Sequence, residues 1–265
     1  MKKFLFLLCL ANIMLAPTLM AQSKSHPGTL SKLFEGLPVK KISKTIVINK
    51  AGTYDFKGVV HEWVGSGTCN TKENQPQMLR VEADNVVVKN FYWKGKSGDP
   101  VHITTCGTGQ GNKCSRKGPR NVTLINFRGH ACEDAMTIGS PGASNITLQD
   151  SIIYANPNKS YWDKSVQINF GTNINFINNK FVGGERCIRY KPQTSGLVQG
   201  NSFFDCRAPV QGSSKDADIS PMKNGTTTIS IKKNYAKNCN QMVKKKDSGV
   251  KVKDLGGNSA NCSIQ

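Results

Sequence analysis

Two acids stand side by side at Glu133 and Asp134, and a third, Asp99, heads a short apolar alternation like the one that follows Asp134. Carboxylates brought together repel unless a cation joins them, and their hard oxygens suit calcium. Lys164 heads a matching segment further along the chain. A lysine beside a dication is pushed toward its neutral form, which is a competent general base. Arg186 and Arg189 follow, and guanidinium forks grip carboxylates. Calcium, base and guanidinium together suit one reaction: abstraction of a proton α to a carboxylate, followed by β-elimination. The metal and the arginine would neutralise the negative charge as it develops.

These residues can meet only if the elements that carry them stack in register. Four segments align by their apolar alternation: Asp99-Pro-Val-His-Ile103, Asp134-Ala-Met-Thr-Ile138, Lys164-Ser-Val-Gln-Ile168 and Arg186-Cys-Ile-Arg-Tyr190. A second unit recurs between them. It reads Asn85-Val-Val-Val-Lys-Asn90, then Asn121-Val-Thr-Leu-Ile-Asn126, Asn145-Ile-Thr-Leu-Gln-Asp150 and Asn173-Ile-Asn-Phe-Ile-Asn178. Weaker copies start at Gly196 and Thr227, and the successive starts are 36, 24, 28, 23 and 31 residues apart. A floor of about two dozen residues with variable insertions is the mark of a coil. The predicted fold is all-β, a single-domain right-handed parallel β-helix. A β-sandwich would instead show hairpin turns and would not repeat one unit in one phase.

Strands of neighbouring coils lie about 4.8 Å apart, so Asp99, Asp134, Lys164 and Arg186 would form one column over roughly 15 Å. Glu133, Asp163 and Glu185 would flank it on one side, and His102, Thr137, Gln167 and Arg189 on the other. Strand alternation raises a conflict. Asp134, Lys164 and Arg186 share the parity of the apolar residues after them, so a regular strand would turn them inward. The column needs a bend or bulge there, which would leave Lys164 at the surface.

The chain has 265 residues, with 36 Lys and Arg against 17 Asp and Glu, a formal charge of +19. The 24 Asn and 25 Gly favour left-handed backbone and turns over a helical bundle. Lys2 and Lys3 precede an apolar run from Phe4 to Ala16, interrupted by Pro17. This reads as a signal peptide over residues 1–21, cleaved after Ala21, and so as a secreted protein without stable membrane association. Its loss leaves the charge at +17, so an anionic partner is expected of the mature chain. Export and the lack of a recognised motif count against nucleic acid. Residues 22–44 read as a leader and 45–265 as the β-helix domain. Eight Cys remain after Cys9 leaves, an even count that suggests disulfides. Proximity favours Cys187–Cys206 and Cys239–Cys262.

The segments Glu73-Asn-Gln75, Gly98-Asp-Pro-Val-His102, Cys132-Glu-Asp-Ala-Met-Thr137, Asp163-Lys-Ser-Val-Gln-Ile-Asn169 and the Arg186–Arg189 pair resemble the class III pectate lyases, polysaccharide lyase family 3. The opening from Val47 to Gly58 also looks like that family's first coil, and the resemblance spans roughly residues 44–240. It implies a secreted, monomeric, calcium-dependent enzyme that cleaves polygalacturonate by β-elimination. It implies calcium contacts at Asp99, Glu133 and Asp134, with Lys164 as base and Arg189 as carboxylate clamp. Asp163 and Glu73 would assist near metal or substrate. The family usually has Lys where this chain has Arg186. Arginine keeps the charge but hardly deprotonates, so Arg186 is expected to bind substrate.

Two other readings remain. A galacturonan hydrolase on a β-helix could use Glu133 and Asp134 as its acid pair, but its expected Asn-Thr-Asp, Gly-His-Gly and Arg-Ile-Lys segments are missing. A non-catalytic protein could bind acidic polysaccharide through charge alone. His102 is expected to be structural and Trp93 to pack in the core, while Trp162 could flank a cleft. The run Lys244-Lys-Lys246 reads as a solvated turn that guides a polyanion.

Overall fold

The computed structural model describes residues 24–66, 76–106, 116–130, 133–155, 164–216 and 224–263. Among the described residues, each repeat contributes one short strand to each of three parallel sheets, of nine, eight and eight strands. The strand order advances by one repeat at every step within each sheet. The chain is therefore a single-domain parallel β-helix.

The Asn-bounded units form the third sheet. Val86 pairs with Val122, Val122 with Ile146, and Ile146 with Ile174, all turned into the core. Both ends of each unit turn a corner through left-handed backbone. Asn85, Asn121, Asn145 and Asn173 have φ of 54–57°, and Asn90, Asn126, Asp150 and Asn178 have φ of 53–58°. Asn and Asp tolerate this conformation better than other side chains with a Cβ, which explains their abundance. Stacking adds a second reason. The Asn121, Asn145 and Asn173 amides each donate to the asparagine of the coil before, at 2.8–3.0 Å.

A deeper ladder runs through the next corner. The Asn201 amide donates to the Phe176 carbonyl and to Asn234 Oδ1, while its own oxygen accepts from the Asn179 backbone amide. Asn179, Asn201 and Asn234 are almost wholly buried, so their amides satisfy corner groups that water cannot reach. Between the ladders the core is filled by stacked rings such as Phe181 on Phe203, 5.2 Å apart.

The two weaker units are each displaced by one residue from the sequence expectation. Ser195, not Gly196, stands in register with Thr228 and accepts the Asn173 backbone amide on its hydroxyl, so the units begin at Ser195 and Thr228. Gly196 then occupies an inward isoleucine position. A Cβ there would overlap the Ile174 carbonyl and meet the Tyr190 hydroxyl, which fills the space and donates to that carbonyl at 2.7 Å.

The expected leader is partly structural. Its residues Val39–Ile42 form the first strand and pair with Val60–Trp63. Ahead of them, a short helix at Leu30–Phe34 stacks Phe34 on Tyr92. Segment 24–28 runs along the outside of the first sheet. There Ser25 and Gly28 carbonyls accept from Lys180 and Tyr154, and His26 packs on Phe204. Disulfides join Cys187 to Cys206 and Cys239 to Cys262, as proximity suggested. Lys244 and Lys245 belong to the strand Val243–Lys245 rather than to a turn, though they are exposed. No helix among the described residues is long and apolar enough to cross a membrane.

Asn201→Ala is expected to lower stability by about 3 kcal/mol in urea unfolding, because it strands buried backbone groups on two coils. Asn121→Gly, at an exposed left-handed corner, is expected to change it by less than about 1 kcal/mol.

Candidate functional site

The expected column forms on the second sheet. Asp134 pairs in register with Lys164, Lys164 with Arg186, and Arg186 with Ala208. Asp99 joins at one end, accepting the Asp134 backbone amide on Oδ1 at 3.1 Å. The neighbouring column also follows expectation, from His102 through Thr137 and Gln167 to Arg189. It continues to Gln211 and the exposed Lys244.

The parity conflict is resolved one residue into each strand. Pairing passes from Asp134, Lys164 and Arg186 directly to Met136, Val166 and Ile188, leaving out the residue between. Ala135 and Met136 are both buried in the core, as are Cys187 and Ile188. The alternation thus slips by one, as at a bulge, and the charged residue ahead of the slip shares the outer face with His102 and Thr137.

The outer face is not solvated around Asp134 and Lys164, which corrects one expectation. The Lys164 side chain is 8% exposed and that of Asp134 2%, with Lys164 Nζ 3.1 Å from Asp134 Oδ1. Asp99 Oδ2 accepts from Thr137 and lies 2.9 Å from His102 Nε2, while His102 Nδ1 meets the Gln77 amide nitrogen at 2.8 Å. Burial raises the pKa of Asp134, the nearby Asp99 charge adds to this, and Lys164 opposes it. Burial also pushes Asp99 upward, but His102, the Asp134 amide and Lys164 outweigh it and hold Asp99 below its ordinary value. Burial, then the Arg189 charge, lowers Arg186.

Two residues missed by the sequence reading complete the cluster. Asp216 Oδ2 lies 3.2 Å from Arg189 Nη2 and 3.5 Å from Lys191 Nζ. The other arm of the Arg189 guanidinium donates to Gln167 at 3.2 Å. Lys191 is 4% exposed at its side chain, and burial, followed by the Arg189 charge, brings its pKa down to about 8. Lys191 follows the end of the strand Arg186–Tyr190, outside the alternation that the repeat makes legible. Its only sequence signal is its place two residues after Arg189, on the same side as Asn169 one coil earlier.

Of the expected metal ligands, Asp99 and Asp134 are brought together, and the Glu133 backbone is tied to the Gly98 carbonyl at 3.2 Å. Their donors fit calcium in kind. Asp134 Oδ1 is buried beside Lys164 Nζ, 3.1 Å away, and all three are hard oxygen donors. Among the described residues no three His, Cys, Asp or Glu are grouped closely enough to hold a metal. Instead, Lys164 and His102 face the acids. Glu73, Asp163 and Trp162 lie outside the described residues. Trp63 and Trp93 are buried, and Trp93 lies in the core as expected.

No family model and no curated protein matches the chain. Among solved structures, similarity is found to an alginate lyase from Paenibacillus sp. str. FPU-7, at 11% identity and a TM-score of 0.43. That match covers 88% of this chain and 92% of the other. Similarity is also found to the tailspike protein of Acinetobacter baumannii phage AM24, at 13% identity and a TM-score of 0.35. There the match covers 84% of this chain and 48% of the other, so this chain spans about half of the tailspike's length.

Lys164→Ala leaves a buried carboxylate without its ion-pair partner. It is expected to cost about 3 kcal/mol in urea unfolding. The double variant Lys164→Met with Asp134→Asn is expected to recover most of that loss, because neither charge is then buried alone.

Proposed function

We propose that the protein is a secreted, monomeric pectate lyase that requires calcium and cleaves (1,4)-α-D-galacturonan by β-elimination. The observation that carries this reading is the register that sets Asp134, Lys164 and Arg186 in one column with Arg189 beside it. An acidic end, a primary amine and two guanidinium groups suit a substrate whose every unit bears a carboxylate.

Arg189 grips the carboxylate of the unit to be cleaved, and Arg186 binds the same polymer beside it. The Lys164 amine takes the proton from the carbon α to that carboxylate. The electron pair left behind forms the 4,5 double bond as the glycosidic C–O bond breaks, and the leaving oxygen takes up a proton from water. Asp99, Glu133 and Asp134 would hold calcium once drawn closer together than they stand, with Asp163 and Glu73 assisting near metal or substrate. Calcium, when bound, supplies positive charge that takes up the charge of the acids, frees the lysine amine and neutralises the substrate carboxylate. Because the Lys164 and Arg189 side chains are only 8% and 12% exposed, the polymer must open this face to reach them. An acid-pair hydrolase working through Glu133 and Asp134 fits less well, since Asp134 is paired with Lys164.

With polygalacturonate, ultraviolet absorbance from the unsaturated product is expected to rise only when calcium is present and to stop on chelation. Lys164→Ala is expected to lower the rate by at least about a hundredfold. Saturated products would refute the lyase reading, and full activity in chelator would refute the calcium requirement.

A further inference from the structure

The group that faces Arg189 from the following coil has no part in the chemistry above. Asp216 offers one oxygen, Oδ2, to two cations at once, Arg189 Nη2 at 3.2 Å and Lys191 Nζ at 3.5 Å. All three side chains are close to buried, at 5%, 12% and 4% exposure, so solvent screens their charges little.

We propose that Lys191 is a positioning residue that sets how strongly Arg189 holds a uronate carboxylate, through the Asp216 carboxylate that the two cations share. This rests on the reading of Arg189 as the carboxylate clamp. With Lys191 protonated, the trio Arg189, Lys191 and Asp216 carries a net positive charge. Lys191 answers the Asp216 charge, and Arg189 has charge to spare for the substrate. With Lys191 neutral, Asp216 cancels Arg189 and the trio carries none. The groups that act on Lys191 are Arg189 on the strand just before it, Asp216 from the next coil, and Lys164 and Asp134 from the two coils before. Burial and the two cations favour the neutral amine, whereas Asp216 and Asp134 favour the charged one. The balance falls at about pH 8, so the switch lies where a small change in pH moves it. Coupling is reciprocal: a bound carboxylate must favour protonation of Lys191 as much as protonation favours binding.

The test has two arms. In the first, KM and kcat for polygalacturonate are measured in saturating calcium from pH 7 to pH 9.5. The wild type is expected to show KM rising about tenfold across this range, a typical size for such coupling. Lys191→Met is expected to show the high KM at every pH, and Lys191→Arg to keep the low KM throughout. In the second arm, urea unfolding of the wild type and Lys191→Met is compared over the same range, with no substrate present. A lysine whose folded pKa lies below its unfolded value disfavours folding while it is charged in both states. The stability of the wild type relative to Lys191→Met is therefore expected to rise above pH 8.

A wild-type KM that rises identically in Lys191→Met would overturn the inference while leaving the clamp reading intact. A flat stability difference would also overturn it. A wild type that neither binds nor cleaves polygalacturonate would overturn the clamp reading, and this inference with it.

Discussion

Everything in this molecule depends on coils that stack in register about 4.8 Å apart. A single coil cannot bury its own apolar face, so the core exists only between neighbours. The same repeat that stacks Val86, Val122, Ile146 and Ile174 inside also stacks asparagines at the corners. It then lines up whatever faces outward. Residues far apart in sequence, such as Asp134, Lys164 and Arg186, become neighbours without any contact made for their sake. The fold is a device for writing columns, and the candidate site is one such column with both signs of charge.

That column is costly to keep. Burial pushes Asp134 toward its neutral form and Lys191 toward its neutral amine. Ion pairs offset part of this, between Lys164 and Asp134 and between Asp216 and its two cations. Buried pairs of this kind seldom improve stability over apolar residues of like size. These opposed charges sit buried on the outer face of a sheet, and perturbed titratable groups of this kind cluster at functional sites.

Much of this was legible in the sequence because it follows from periodicity. The repeat of Asn-bounded units revealed the coils, and the matching apolar alternation put Asp134, Lys164 and Arg186 in one column. The two weaker units were misplaced by one residue because neither begins with Asn and one carries Gly196 at an inward position. That glycine is explained only by the close approach of the Ile174 carbonyl and of the Tyr190 hydroxyl bonded to it. Burial of Lys164 was not legible, since strand parity says which face a residue takes and not whether that face meets water. Lys191 and Asp216 were missed for a related reason. Lys191 follows the end of its strand and Asp216 follows the next one, where alternation no longer applies. The leader concealed the strand Val39–Ile42, whose successive residues are mostly exposed and show no period.

The central claim is that this column takes a proton from the carbon α to a uronate carboxylate. Polygalacturonate carrying deuterium at that carbon tests it most directly. The label is expected to be lost from the unsaturated product, with slower cleavage than for the unlabelled polymer. Cleavage at an unchanged rate with the label retained would contradict it.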